Sequence, residues 1–356
     1  MEIEEILGKQ AAIIDEMIEK YIPREFVKDT LVFKLSPPRY AYNLEALNRA
    51  IAEPIWEFLD RGGKRWRPRL FLVICEALGK NPKTFLDYAI IPEVIHNGTL
   101  MIDDIEDQSE LRRGKPCTYK LFGLDIAINS GNAMYYLPVL SLIKNRGKIP
   151  AATLNKAYEV YVQEMINLSL GQAMDIAWHR GLADADKISE HDYLQMCAFK
   201  TGTLARIAAK LAAVLSGADE ETTDKLGRFA EAIGVAFQIR DDVLDLTGEE
   251  FAEKKGARGM DISEGKRTLM VIHALQRATP RDRKRLQEIL RMHTSEQKLR
   301  DEAIAIMEKY DAIHYAKEYA RKIVKESWDD VNKLLSASTS KEKLRAFADY
   351  LIKRRI

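Results

Sequence analysis

"TDKLGRFAEAIGVAFQIRDDVLDL", residues 223–246, decides how the rest of the chain is read. Leu226, Phe229, Ala230, Ile233 and Phe237 recur at three-to-four spacing, the period of one helix face. The run then ends in charge, with Arg240, Asp241, Asp242 and Asp245. Residues four apart on a helix differ by roughly 40° of rotation, so Asp241 and Asp245 share a face. Like charges one turn apart destabilise a helix unless something positive neutralises them.

The same conjunction occurs upstream. "LMIDDIEDQSELRRG" (100–114) places Asp103, Asp104 and Asp107 behind the apolar "EVIHNGTLMI", and Arg112 and Arg113 follow. A hard divalent cation answers such a cluster: Mg²⁺ takes oxygen ligands, holds one or two carboxylates and keeps positions for water or phosphate. A single DDxxD is commonly a solvated helix end, but two copies that each close an apolar stretch favour metal. "GGKRWRP" (62–68) adds Lys64, Arg65 and Arg67 after a glycine pair. Alone it reads as a basic loop, although guanidinium forks and lysine ammoniums are the groups that hold phosphate oxygens. Two acidic metal sites and two basic clusters together suit two diphosphates, one bridged by metal and one held without it.

Outward from these stretches the helical period continues through 42–60, 68–79, 154–178 and 203–218. Connections such as "RGGK", "GKNP", "NRGKIP" and "SGADE" are brief, which favours antiparallel neighbouring helices. Alternating strand segments are not found. The one long irregular candidate, "TGEEFAEKKGARGMDISEGK" (247–266), reads as a functional lid. The expectation is a large all-α antiparallel helix bundle, a single domain over 1–356, with 1–38 as an accessory N-terminal arm.

Composition narrows the function classes. The 55 basic and 54 acidic residues leave a net charge of +1, which argues for no polyanionic partner and hence no nucleic acid. Cys75, Cys117 and Cys197 form no CxxC pair, which suits a reducing compartment. "MEIEEILGKQ" is not laid out as a signal peptide, and no apolar run approaches the roughly 20 residues of a membrane span. A soluble, cytoplasmic protein is expected.

As an ordered set, "GGKRWRP", "IDDIEDQSELRRGKP", "GQAMD", "KTG", "FQIRDDVLD" and "DISEGKRT" resemble the trans-isoprenyl diphosphate synthases, or polyprenyl synthetases, from about residue 42 to 275. "IDDIED", in which Ile102 replaces a frequent histidine, resembles a geranylgeranyl-type subset. The resemblance implies an all-α isoprenoid-synthase bundle around a central cavity, homodimeric, joining isopentenyl diphosphate head-to-tail to an allylic diphosphate. It implies Mg²⁺, three ions to a site, with Asp103, Asp107 and Asp241 as principal ligands and Asp104, Asp242 and Asp245 in support. Arg112, Lys200 and Lys266 would grip the allylic diphosphate. Lys64, Arg67, His96 and Arg113 match the isopentenyl diphosphate site. Thr201 and Gln238 match groups beside the reacting carbons, and Gln172 and Asp175 line the cavity. The family's loop lysine is displaced here to Lys255, with Arg258 as a substitute.

Product length should depend on the space below the first aspartates, where Gly98 and Thr99 are small. They point to products of twenty carbons or longer, with Val94 and Ile95 as candidate floor and Gly98→Phe expected to shift products toward fifteen carbons. Of the rivals, a class I terpene cyclase or a head-to-head synthase has no use for a separate isopentenyl diphosphate site. A non-catalytic subunit of a heteromeric prenyl synthase would be expected to carry degraded aspartate motifs.

Overall fold

The structure, a computed structural model, describes residues 3–28, 39–248 and 258–353. Helix dominates these residues, as the three-to-four periodicity predicts. They divide into two compact units, Met1–Glu159 with Leu211–Asp219, and Val160–Lys210 with Glu220–Ile356.

The first unit is built on α1 (Ile3–Tyr21), α2 (Trp66–Ala77), α3 (Leu86–Glu106) and α4 (Leu124–Tyr136), joined by the opening residues of α5 (Ala151–His179). α3 is its axis and packs against α1, α2 and α4. Ile90, Ile91, Val94 and Ile95 have no exposed surface. Burying an aliphatic side chain of this size contributes about 1.5–3 kcal/mol. α1 belongs to the same core through Ile14, Ile18 and Tyr21. The segment 29–38, the rest of the expected arm, lies outside the described residues.

α3 and α4 meet through glycine. A Cβ on Gly98 would stand 2.8 Å from Gly131 O and 2.8 Å from Met134 Cβ, and one on Gly131 would stand 2.8 Å from Ile102 Cδ1. After α3 comes a feature that the sequence reading lacked, an antiparallel hairpin of β1 (Leu111–Arg112) and β2 (Lys115–Pro116). Arg113 (φ 54°) and Gly114 (φ 76°) form its two-residue turn. Positive φ at both central positions matches the right-handed twist of the strands.

The second unit takes the remainder of α5, then α6 (Glu190–Cys197), α7 (Thr203–Leu215) as far as Lys210, α8 (Glu220–Thr247), α9 (Leu269–Arg277), α10 (Pro280–Arg291), α11 (Gln297–Lys309), α12 (Ala312–Leu334) and α13 (Thr339–Lys353). α8 contains the amphipathic stretch 223–246. Leu226, Phe229, Ala230 and Ile233 on it are fully buried, and its most extensive packing is on α12. Ser189 caps α6 in a reciprocal pair with Asp192. Between α6 and α7, Ala198–Gly202 makes a single π-helical turn. Gly171 and Gly234 admit it: a Cβ on Gly171 would overlap the backbone N of Lys200, and one on Gly234 would lie 2.7 Å from Gly202 Cα. Among the described residues no helix is long and apolar enough to cross a membrane.

Gly98→Ala, whose added Cβ would press on the backbone oxygen of Gly131 and the Cβ of Met134, should destabilise the protein by about 1–3 kcal/mol, the usual effect of overpacking a close contact. Gly147→Ala, where the added Cβ meets nothing within 4 Å, is the control. Equal melting temperatures for the two variants would show that α3 and α4 accommodate a methyl group.

Candidate functional site

The first aspartate cluster occupies the C-terminal end of α3. Asp103 is half-buried, Asp104 is 1% exposed, and Asp107 is the exposed C-cap, its N–H donating to Asp103 O. Carboxylates are poorly placed there, because the carbonyl end of a helix already carries partial negative charge and favours cations. One cation is supplied by the hairpin. Arg112 Nε donates to Asp104 Oδ1 at 2.7 Å, and its Nη2 lies 2.5 Å from the same oxygen. Burial raises the Asp104 carboxyl above its ordinary value, and Arg112 works against that shift. Asp104 Oδ2 is buried with no N–H or O–H donor, and the Cys117 thiol beside this carboxylate is pushed up to about 12 by burial and by Asp104.

The turn sends the next arginine elsewhere. Arg113 Nη1 donates to Gly62 O and Nη2 to Asn97 Oδ1 at 3.1 Å. It thereby joins the "GGKRWRP" segment, where Lys64 is exposed and Arg65 and Arg67 are buried. Burial, then the nearby Arg65 charge, lowers Arg113 to about 10. His96 lies on α3 less than two turns before Asp103 and faces this basic group. Burial, then the charges of Arg67, Arg113, Arg112 and Arg65, hold its imidazole well below 6.5 and therefore neutral. His96 Nδ1 is buried without a hydrogen-bond partner. The first unit thus brings Lys64, Arg67, His96 and Arg113 into one region and sets Arg112 with the aspartates.

In the second unit the aspartates lie near the C-terminal end of α8. Asp241 is half-buried, while Asp242 and Asp245 are 6% and 1% exposed. Asp242 is the middle of a chain of hydrogen bonds. Tyr193 Oη donates to its Oδ2 at 2.6 Å, Gln238 Nε2 to its Oδ1 at 2.8 Å, and Thr201 Oγ1 to Gln238 Oε1 at 2.9 Å. Burial, then the neighbouring Asp261, raises Asp242 to about 7. Asp245 Oδ2 accepts the backbone N–H of Asp261 at 3.0 Å. The π turn presents Lys200, whose Nζ lies 2.5 Å from Asp175 Oδ2. Lys266 pairs with Glu264 at 2.5 Å and Asp261 at 3.5 Å. Gln172 is half-buried on α5, one turn from Asp175. Arg258 Nε donates to Leu246 O, whereas Lys255, with the rest of 249–257, lies outside the described residues.

The donor atoms offered by both clusters are carboxylate oxygens, which suits a hard cation. Among the described residues no three His, Cys, Asp or Glu side chains close into a metal cage. Mg²⁺ bound through one or two carboxylates plus substrate phosphates has no need of one.

The sequence matches the polyprenyl synthetase family over residues 48–307. The chain belongs to that family. With it, the chain belongs among the prenyl-elongating enzymes. It is 34% identical over 354 residues to a short chain isoprenyl diphosphate synthase of Methanothermobacter thermautotrophicus, covering 99% of both chains. It is 32% identical over 354 residues to a geranylgeranyl pyrophosphate synthase of Geoglobus acetivorans, again covering 99% of both. The crystal structure of a geranylgeranyl pyrophosphate synthetase from Pyrococcus horikoshii superposes with a TM-score of 0.84 at 30% identity, covering 99% of this chain and 98% of that one.

Several residues of this polyprenyl synthetase emerge only from the fold. Tyr193, Glu93 and Asn97 carry no motif, and their importance lies in whom they touch. Gly98 needs a different account from the one its small size suggested. It is held against Gly131 and Met134, so helix packing explains the missing side chain and no vacant tunnel is needed. Thr99 is half-buried, its hydroxyl donating to His96 O at 2.7 Å.

The neutral His96 carries a pH signature. Its folded pKa is depressed, so below about 6.5 the unfolded chain binds a proton that the folded chain refuses, and stability falls with pH. His96→Gln keeps a neutral polar group and should remove up to about 1.4 kcal/mol of that loss per pH unit below 6. Denaturant unfolding of both proteins between pH 5 and 7.5 checks this, and parallel curves would refute it.

Proposed function

We propose that this polyprenyl synthetase transfers the allylic group of an allylic diphosphate to isopentenyl diphosphate, head-to-tail and with Mg²⁺, releasing diphosphate. The observation that carries the reading is the division of labour between Arg112 and Arg113. Adjacent in sequence, they are sent by the β1–β2 turn to two different places, one at the aspartates and one at the Gly62–Arg67 segment. A cyclase has one diphosphate to hold, whereas an elongase has two.

In this reading Arg112, Lys200 and Lys266 hold the allylic diphosphate, with Lys255 as a further candidate. Lys64, Arg67, Arg113 and neutral His96 hold the isopentenyl diphosphate. Asp103, Asp107 and Asp241 are the principal Mg²⁺ ligands, three ions to a site, and Asp104, Asp242 and Asp245 support them. When bound, Mg²⁺ supplies positive charge where the leaving diphosphate accumulates negative charge. The allylic C–O bond breaks with its electron pair going to diphosphate, and the isopentenyl double bond attacks the allylic carbon. The attack leaves a tertiary cation on the isopentenyl unit, and a proton then leaves the carbon between that centre and the diphosphate-bearing carbon for the released diphosphate, closing the new double bond. Thr201 and Gln238, fixed to each other and to Asp242, present their dipoles beside the reacting carbons. The surroundings must be dry, because water would quench the cation.

Products of twenty carbons or longer, for which similarity to geranylgeranyl pyrophosphate synthases speaks in place of Gly98, a cytoplasmic location and the working of both units as one functional domain belong to the same reading. So does a homodimer, which two apolar stripes support. Val162, Ile166 and Leu170, about half exposed, repeat every four residues along α5, and Leu124, Ile128 and Tyr136 are exposed on α4. Ile166→Glu with Leu170→Glu should yield a monomer by light scattering, and an unchanged mass would remove α5 from the interface.

The deciding assay combines isopentenyl diphosphate with dimethylallyl, geranyl or farnesyl diphosphate, each with Mg²⁺ or with chelator, and sizes the products. Chelator-sensitive elongation is expected. A cyclic hydrocarbon would point to a cyclase, and inertness with every primer to a partner subunit. Asp103→Asn and Asp241→Asn should each lower turnover at least about a hundredfold and raise the Mg²⁺ requirement. Asp242→Asn should lower turnover with a smaller change in that requirement, because both Asp242 oxygens already accept hydrogen bonds.

A further inference from the structure

Behind the basic group of the first unit lies a continuous line of polar contacts that no motif marks. Arg65 Nε donates to Asp15 Oδ1 at 2.9 Å, and Arg65 Nη1 to Glu93 Oε1 at 3.0 Å. That same oxygen accepts Asn97 Nδ2 at 3.1 Å, while Glu93 O accepts Asn97 Nδ2 at 2.8 Å. Asn97 Oδ1 then accepts Arg113 Nη2. Glu93 and Asn97 are 2% and 0% exposed, and Arg65 is 4% exposed.

Two like charges are brought close here. A Cβ on Gly63 would lie 3.2 Å from Arg65 Nη1 and 3.4 Å from Arg113 Nη2, so both guanidiniums converge on one stretch of backbone. The two arginines are treated differently. Arg65 meets two carboxylates, Asp15 and Glu93. Arg113 meets an amide oxygen at Asn97, a peptide oxygen at Gly62 and the face of Phe58 at 5.2 Å, all of them neutral. Neutral acceptors fix the direction of a guanidinium and leave its charge for an incoming anion. The orientation of the Asn97 amide is itself settled by its neighbours: with its nitrogen donating to Glu93, its oxygen can only face Arg113.

We infer that Asn97 and Glu93 are positioning residues that aim Arg113 at the isopentenyl diphosphate, and that α1, which precedes the family match, anchors the far end of the line through Asp15. The inference rests on the assignment of Arg113 to that diphosphate. Glu93 cancels Arg65 so that a buried and a half-buried guanidinium can coexist, and Asn97 relays the geometry without relaying the negative charge.

The test is steady-state kinetics of the full-length protein with isopentenyl diphosphate varied at saturating allylic diphosphate. Asn97→Ala should raise KM for isopentenyl diphosphate about fivefold, as loss of one hydrogen bond predicts, with kcat and the allylic KM changed less than about twofold. In an Arg113→Gln background the same substitution should add less than about twofold, because its partner has gone. An unchanged KM, or an equal increase in both backgrounds, overturns the positioning role. If Arg113→Gln alone leaves that KM unchanged, the assignment of Arg113 fails first and the inference with it. Should Asn97→Ala not fold, Glu93→Gln and Asp15→Asn carry the same comparison. Asp15, partly exposed, is expected to cost about twofold in KM. No rise for either variant in the wild-type background overturns the line.

Discussion

A buried guanidinium has to find an acceptor, and this constraint shapes the first unit more than any other. Leaving such a charge unpaired in the interior destabilises a protein by several kcal/mol, roughly 3–5 when one partner of a buried pair is removed. Arg65, buried, and Arg112, half-buried, both meet carboxylates of α3, Glu93 and Asp104, which stand eleven residues apart and so on nearly the same face of the helix. The apolar residues of α3 bury the helix, and its two inward carboxylates draw in the basic segments on either side. Arg61 fastens the β1–β2 hairpin from the other side, donating to Arg112 O and Pro116 O.

The second unit solves a related problem with neutral partners. Asp242 is held by a phenol and an amide, whose hydrogen bonds work against the rise in its carboxyl that burial and the neighbouring Asp261 cause. The price is paid in backbone. A π-helical turn must deliver Thr201 to Gln238, and it fits only because Gly171 and Gly234 leave room for its main chain. π turns of this kind recur at functional sites because the extra residue redirects a side chain within an otherwise regular helix.

These particulars explain what could be read from the sequence. Helices, both aspartate clusters and the basic segment declare themselves by period and by local charge density, which are properties of contiguous residues. The hairpin does not, since strands of two residues are too short to show alternation. Nor do Glu93, Asn97 and Tyr193, each an ordinary helical residue until its partner, up to 49 positions away, is known. Gly98 shows the opposite hazard. Its small size was legible, but whether a missing side chain leaves room for a ligand or for a neighbouring helix depends on what stands opposite, and Gly131 stands there.

The present pairings also set the terms on which substrates bind. Arg112 is joined to Asp104, Lys200 to Asp175, and Lys266 to Asp261 and Glu264, so each of these three cations proposed for the allylic diphosphate is already paired with a carboxylate. A diphosphate arriving alone would have to compete with those carboxylates and would leave them uncompensated in a poorly solvated place. Arriving with Mg²⁺, it brings positive charge for the carboxylates and negative charge for the cations, and both sets keep a partner. Arg113 is different, because its acceptors are neutral and its charge is available at once. On the proposed assignment the two diphosphates would need different company: the allylic one would arrive with metal for electrostatic balance, and the isopentenyl one would dock on protein groups alone.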